Sequence, residues 1–337
     1  SGLAHEGVHH ILFRGRYLND LASDLLTMFP VFGATYLYRL QHLAHHQFVN
    51  DPDRDPDVSQ LIASGHWLDF PVSRGRFLRS IAVQVWPFNT LRFLRIRAKY
   101  NATGTDKNPY FRKGEKPARR AVRLGLLYIL TLVATLTSLF YLGDPLLLIA
   151  GPIALWAAAA ILFWNLPEGS YIRTRLHPVI PPRLMTVLRI GHITAVFTTL
   201  TAVAFFAGVP APLYYLVLWI VPMVTSFAFF MILRQWVQHG NADRGWITNS
   251  RTFLVAPAIR FAVFPMGQDY HLPHHMYATI PHYRLKALHA LLNRCPEYRA
   301  EAVEVHGYFH SPDEHPTVID VLGPEYAAKH GPDVHID

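Results

Sequence analysis

The stretch Leu124–Trp164, LGLLYILTLVATLTSLFYLGDPLLLIAGPIALWAAAAILFW, decides the architecture. Two apolar runs, Leu124–Leu142 and Leu146–Trp164, flank Gly143-Asp144-Pro145, and neither contains Lys, Arg, Asp or Glu. About 20 such residues in helical form cross a hydrocarbon core. Backbone polar groups in lipid must be satisfied within the segment, which selects helices. Ile190–Gly208 and Leu213–Met231 repeat the pattern around the short Val209–Pro212 connection. Length alone would allow two soluble domains, but this distribution argues otherwise. The expected fold is an all-α integral membrane protein, about four transmembrane helices in two hairpins with a cytosolic histidine-rich cap. Residues 1–295 would form this membrane-embedded domain and its cap, and residues 296–337 a polar cytosolic tail.

Basic residues set the expected orientation, because cytoplasmic flanks of membrane spans are enriched in Lys and Arg. Arg92, Arg95, Arg97, Lys99, Lys107, Arg112, Lys113, Lys116, Arg119, Arg120 and Arg123 precede the first run. Arg173, Arg175, Arg183 and Arg189 lie between the hairpins, Arg234 follows the last run, and the two tight turns carry none. Everything but those turns is thus expected on the cytoplasmic side. The net charge of +8 follows from this flanking pattern. No separate basic patch points to nucleic acid, and no nucleic-acid partner is expected. A basic face of this kind suits anionic headgroups or an acidic protein partner. The single cysteine, Cys295, excludes an internal disulfide and a cysteine-ligated metal site.

Smaller features complete the organisation. Tyr17–Leu40 is apolar but interrupted by Asp20, Asp24 and Pro30, and reads as a helix lying in or dipping into the membrane plane. The alternating Asp and Pro of Asn50–Asp57 favour turns over a metal site. Ile81–Arg97 reads as one interfacial amphipathic helix. Thr252–Phe264 is too short to span and is expected to pack under the site described next. Ala302–Tyr308 is strand-like. No signal peptide is visible, and the opening at Ser1, four residues ahead of the first histidine cluster, suggests that sequence precedes it.

Twenty histidines are present, and nine of them fall in three clusters. His5-Glu6-Gly7-Val8-His9-His10, His42-Leu43-Ala44-His45-His46 and His271-Leu272-Pro273-His274-His275 each place donors three or four residues apart, on one face of a helix. At this histidine content about 0.07 chance matches to H-x-x-H-H are expected, and two are present. Imidazole suits iron, copper, nickel and zinc alike. A single catalytic zinc takes three protein ligands, so nine or so histidines oversupply one ion and suit two. Two irons that activate dioxygen match best.

The pattern resembles the membrane fatty acid desaturase/hydroxylase family, integral-membrane di-iron enzymes with three histidine boxes. The first cluster is similar to that family's H-x-x-x-H-H box, and the second and third match H-x-x-H-H. Gln268–Leu291, with His271 to Tyr277 leading into Ile280-Pro281-His282-Tyr283-Arg284-Leu285, looks like its third-box region. The resemblance covers nearly the whole chain in box order and intervening spans, although the family's first spans are missing ahead of box one. It implies a further ligand after the last span, where His239 stands in Gln235-Trp236-Val237-Gln238-His239-Gly240-Asn241. The implied metal set is His5, His9, His42, His45, His46, His239, His271, His274 and His275. His10 is an alternative to His9. Glu6, Asp269 and Asn241 lie close enough in sequence to orient a ligand, as ligating imidazoles usually donate their second N–H to a carboxylate or carbonyl. His66, His177, His192, His282, His289, His306, His310, His315, His330 and His335 belong to no cluster and are expected at surfaces or interfaces.

What the resemblance implies chemically is an oxidoreductase with two non-haem iron ions, dioxygen as co-substrate, and no catalytic group beyond the metal centre. An unactivated C–H bond has no acidic proton, so hydrogen must leave by a cofactor-borne oxidant. A desaturase of a lipid or acyl chain drawn from the bilayer is expected first. A hydroxylase or ketolase of a lipid-like substrate is the alternative. Either needs electrons from a ferredoxin-, cytochrome- or reductase-type partner. Trp156, Phe163, Trp164 and Phe230 are candidate substrate-lining aromatics. Of other classes, a metal transporter would carry polar ligands inside its spans, which these lack. A zinc-dependent membrane receptor or hydrolase would contain zinc without iron-dependent oxygen consumption.

Overall fold

The computed structural model describes residues 2–112 and 119–330. Lys113 and Lys116 of the basic run and His335 of the tail lie outside the described residues. The first helices are α1 (Gly2–Val8), α2 (Arg16–Ser23), α3 (Thr35–Gln47), α4 (Pro56–Ala63), α5 (Arg74–Gln84) and α6 (Pro87–Thr103). Four long helices follow, α7 (Arg119–Leu142), α8 (Pro145–Trp164), α9 (Pro182–Ala207) and α10 (Ala211–His239). Strand β1 (Arg251–Leu254) precedes α11 (Pro257–Val263), α12 (His271–Met276), α13 (His282–Leu292) and α14 (Pro296–Glu301). Strand β2 (Val303–His306), α15 (Val318–Val321) and α16 (Pro324–His330) end the order. The described residues are therefore mostly helical, with one two-stranded parallel sheet among them, Arg251 opposite Val303 and Leu254 opposite His306.

Helices α7 to α10 are long and apolar enough to cross a membrane. Only 17–22% of their most apolar windows is buried, so the remainder presents side chains such as Leu126, Leu130, Leu146, Ile161 and Leu218 outward. Water does not tolerate so continuous an apolar surface. Lipid does, and the chain is an integral membrane protein. The spans run beyond their expected limits, α7 starting five residues early at Arg119 and α9 and α10 departing further. Helix α9 begins eight residues before Ile190, because a charge-free window excludes Arg183, whose Nη2 donates to the Leu166 carbonyl at 3.0 Å, and Arg189. Helix α10 continues past Met231 to His239.

The chain divides into two compact units. One takes in Leu12–Leu40 and Ala98–Met223. Helices α7, α8 and α9 pack on one another there, around Tyr128, Leu132, Leu136, Phe163, Ile190 and Ile193. Asp144 starts α8 by accepting the Leu146 and Leu147 amides, both at 2.9 Å, with Pro145 at the first helical position. The segment Tyr17–Leu40 is not one in-plane helix. It loosens into a π turn after Ser23 and breaks at Phe32, whose φ of 61° is left-handed, before α3 resumes at Thr35. Its interrupting acids have structural partners. Asp20 takes both arms of the buried Arg39 guanidinium, at 2.6 and 2.7 Å, and Asp24 accepts the Thr35 amide at 2.6 Å. Of the candidate lining aromatics, Phe163 is core packing and Trp164 faces outward.

The other unit takes in Ser1–Ile11, Gln41–Arg97 and Val224–Asp337. Its core gathers Phe77, Phe93, Trp236, Phe253, Phe264, Val305 and Leu322, with the Trp236 indole donating to the His66 carbonyl at 2.6 Å. Residues beyond Pro296, expected as a polar tail, place Val305, Val318, Val321 and Leu322 in this same core. Ile81–Arg97 is two helices, α5 and α6, divided at Trp86. Pro87 opens the second, and a residue before proline is disfavoured in helix. Thr252–Phe264 likewise divides, into β1 and α11, at Pro257.

Candidate metal centre

Each histidine cluster is placed by a local device. His5 lies on α1, which ends at Val8. His10, at φ 59°, turns the chain left-handed directly after His9. His42, His45 and His46 occupy the last turns of α3. His239 closes α10, whose end is held by the buried Arg251 guanidinium donating to the Val237 and Gly240 carbonyls at 2.7 and 2.5 Å. Terminal helix carbonyls lack intrahelical partners, and a cation satisfies them well. His271, His274 and His275 make up half of α12, where Pro273 sits in the first turn and its missing N–H costs nothing.

The nine rings converge in two groups, His5, His9, His42, His46 and His274 in one and His45, His239, His271 and His275 in the other. Within each group the facing ring nitrogens all lie within 4.8 Å of one another. In the first, Nε2 of His42 is 2.9 Å from that of His9 and 3.0 Å from that of His46, which is 3.0 Å from His274. In the second, Nε2 of His239 is 3.1 Å from that of His45 and 2.8 Å from that of His271, which is 3.1 Å from His275. These contacts cannot all be hydrogen bonds. A ring nitrogen offers one proton or one lone pair, yet His42, His46, His239 and His271 each meet two others. They have instead the length of a coordination edge, since two nitrogens at about 2.1 Å from a common ion and at right angles stand about 3.0 Å apart. His5 Nε2 is buried in the first group with no hydrogen-bond partner. The donor set fits two metal ions. The groups adjoin, with His46 stacked on His275 at 4.2 Å between ring centroids.

Surrounding contacts fix which nitrogen faces the ion. His45 Nδ1–H donates to both oxygens of the buried Asp55 at 3.1 Å, and His239 Nδ1–H donates to the Asn249 carbonyl at 2.9 Å. Each ring then turns its Nε2 lone pair inward. Burial, reinforced by neighbouring imidazoles, lowers the proton affinity of His5, His42, His46, His271, His274 and His275 well below the ordinary 6.5. They stay neutral and available as ligands. His45 is the exception. Burial opposes its charge, but Asp55 and then Asp57 outweigh it and raise the ring to about 9, so its Nε2 lone pair is available only once a bound ion displaces that proton.

The orienting residues differ from those expected. Glu6 pairs with His282, whose Nδ1 is 3.3 Å away, Asp269 pairs with Arg260 at 2.8 Å, and the Asn241 amide donates to the Val321 carbonyl at 2.9 Å. His10 stands outside both groups. Asp55 and Arg251 were not anticipated. The available signal for Asp55 was its place before Pro56, where it caps α4 by accepting the Asp57 amide at 2.9 Å, ten residues from His45. Among the unclustered histidines, His66 and His289 are buried.

A family model described as fatty acid desaturase matches residues 1–198 and 182–305. The chain is similar to the dihydrorhizobitoxine desaturase of Bradyrhizobium elkanii, 30% identical over 76 residues. That segment is 22% of this chain and 22% of the relative, so the match spans about a fifth of the relative's length. No solved structure matches. With the family model covering both histidine-bearing ends and the spans between them, the chain belongs to the fatty acid desaturase family.

Proposed function

We propose that this chain is an oxidoreductase that introduces a double bond into an apolar, lipid-like chain, consuming dioxygen and two electrons from a donor protein. The observation that carries this reading is the convergence of nine imidazoles into two adjoining donor groups. His5, His9, His42, His46 and His274 would hold one iron, and His45, His239, His271 and His275 the other. Such a pair of irons supplies, when bound, an oxidant derived from dioxygen that can take hydrogen from an unactivated C–H bond.

The protein's own residues do the rest. Asp55 and the Asn249 carbonyl hold two rings with Nε2 inward, and burial of seven of the nine histidines keeps bulk water from the centre. Removing two hydrogens from adjacent carbons while reducing one dioxygen to two waters requires two further electrons and two protons. A ferredoxin-, cytochrome- or reductase-type donor therefore has to dock. The outward apolar faces of α7 to α10 support a substrate that arrives through the bilayer. The basic residues flanking the spans support a cytoplasmic location for the histidine clusters.

The test is lipid and small-molecule profiling of cells making the wild-type protein, His274→Ala or His10→Ala. An iron- and oxygen-dependent unsaturated product is expected from wild type and His10→Ala and not from His274→Ala. An alcohol or ketone in its place would move the reading to a hydroxylase or ketolase. A product that persists in His274→Ala would overturn it, and zinc without iron in the purified protein would favour a hydrolase or receptor.

A further inference from the structure

A third group of candidate metal-ligating side chains, none of them among the nine histidines, lies on the sheet and the loop behind it. Glu304 and His306 are two residues apart on β2 and so share one face. The loop after β2 returns through Gly307, at φ 76°, and its neck is tied by His306 N–H to the Pro316 carbonyl at 2.9 Å and Val318 N–H to the Gly307 carbonyl at 3.2 Å. This brings His315 over His306. The two rings lie 3.8 Å apart between centroids and only 10° from parallel.

Asp313 sets the chemistry of that pair. Its Oδ2 accepts His306 Nδ1–H at 2.6 Å and its Oδ1 accepts His315 Nδ1–H at 3.0 Å. A carboxylate only accepts, so both rings carry their proton on Nδ1 when neutral, and each leaves an Nε2 lone pair. One carboxylate on the Nδ1 sides of two parallel rings directs both Nε2 atoms the same way. His306 Nε2 is buried without a hydrogen-bond partner, and Glu304 Oε2 stands 3.8 Å from it. Glu304 is itself anchored through Oε1 by His289 Nε2 at 3.0 Å and the Asn293 amide at 3.2 Å. Each of the three residues offers a donor atom within 4.8 Å of the others, and the His315 side chain is half exposed.

We propose that Glu304, His306 and His315 form a binding site for a divalent transition cation of the zinc class, with Asp313 as the carboxylate that orients both imidazoles. Two neutral nitrogens and one carboxylate oxygen match the ligand preferences of zinc, with a fourth position for water. The bound ion clips the loop of residues 307–317 onto β2. Through β1 it braces the segment ahead of α12, since Thr252 bridges Tyr270 and the Phe253 amide donates to the Asp269 carbonyl at 2.7 Å. The role is structural, and the centre built by the nine histidines does not depend on it for ligands.

The experiment uses the purified, iron-loaded full chain in detergent, dialysed against buffered zinc, with zinc and iron counted together by elemental analysis. Wild type is expected to gain one zinc per chain with its iron unchanged. His315→Ala is expected to lose that zinc, and Asp313→Asn to bind it about 10–100-fold more weakly. Both side chains are about half exposed, so neither change should disturb folding. No zinc uptake by wild type, equal uptake by His315→Ala, or zinc gained only as iron is lost would each overturn the proposal.

Discussion

At the scale of the residue, the centre depends on which ring nitrogen faces inward, and Asp55 decides this for His45. An asparagine there keeps one oxygen, enough to accept the Asp57 amide that starts α4, and gives up the acceptor for the Asn50 amide, which now binds the second oxygen at 3.0 Å. It cannot supply the charge that favours Nδ1–H on His45. Asp55→Asn is therefore expected to weaken metal binding by the His45 group about 10–100-fold. Iron per chain under limiting iron should fall from two toward one, with unchanged far-ultraviolet circular dichroism. Full, equally tight loading would show that Asp55 serves only as a helix cap. The converging rings themselves were legible because spacings of three and four repeat a helical face. Asp55 was hidden by its neighbours, an Asp–Pro alternation that reads as turn. Arg251 was hidden because its partners are carbonyls, which every residue has. Glu304 and His306 carried a sequence signal, the strand spacing of two, but His315 joins them only through a loop whose path the sequence does not give.

At the scale of the element, hydropathy located all four spans because lipid imposes one rule on every residue in them. It placed their ends less well, since arginine can extend a helix beyond the apolar window, as Arg183 and Arg189 do in α9. It failed for the α2–α3 region, where the reading treated Asp20 and Asp24 as interruptions and the structure uses them as fasteners. Asp24 gives a pH-dependent test. Burial raises its carboxyl to about 6 from 3.8, partly opposed by hydrogen bonds with Thr35. A raised carboxyl contributes stability that is complete below the unfolded value of 3.8 and is lost as pH rises through about 6. The loss amounts to about 3 kcal/mol at most. Asp24→Asn keeps an oxygen for the Thr35 amide and stays neutral. Its stability relative to wild type should rise between pH 5 and pH 8, read from thermal unfolding in detergent. An equal difference at the two pH values would mean that the buried charge is not the cause.

At the scale of the whole molecule, metal and fold should respond together in one unit and separately in the other. All nine histidines belong to the unit built from Ser1–Ile11, Gln41–Arg97 and Val224–Asp337, whereas α7, α8 and α9 are held by their own apolar core. A ligand present at a thousand times its dissociation constant contributes about 4 kcal/mol to the state that binds it. Stripping iron with a chelator is expected to lower the thermal midpoint and to open residues 41–97 and 240–275 to protease. Fragments containing α7 to α9 should stay intact. Uniform resistance before and after chelation would separate the ions from the stability of that unit.

The wide separation of the ligands along the chain has a consequence for biogenesis. His5 and His274 belong to one donor group, and synthesis of the second trails that of the first by more than two hundred residues and all four spans. A ribosome feeding this polypeptide into a bilayer releases the earliest imidazoles long before their last companion exists. If the two donor groups hold iron as proposed, loading has to wait until translation has passed box three, and a chain truncated upstream of it would lack His271, His274 and His275 however much metal is supplied.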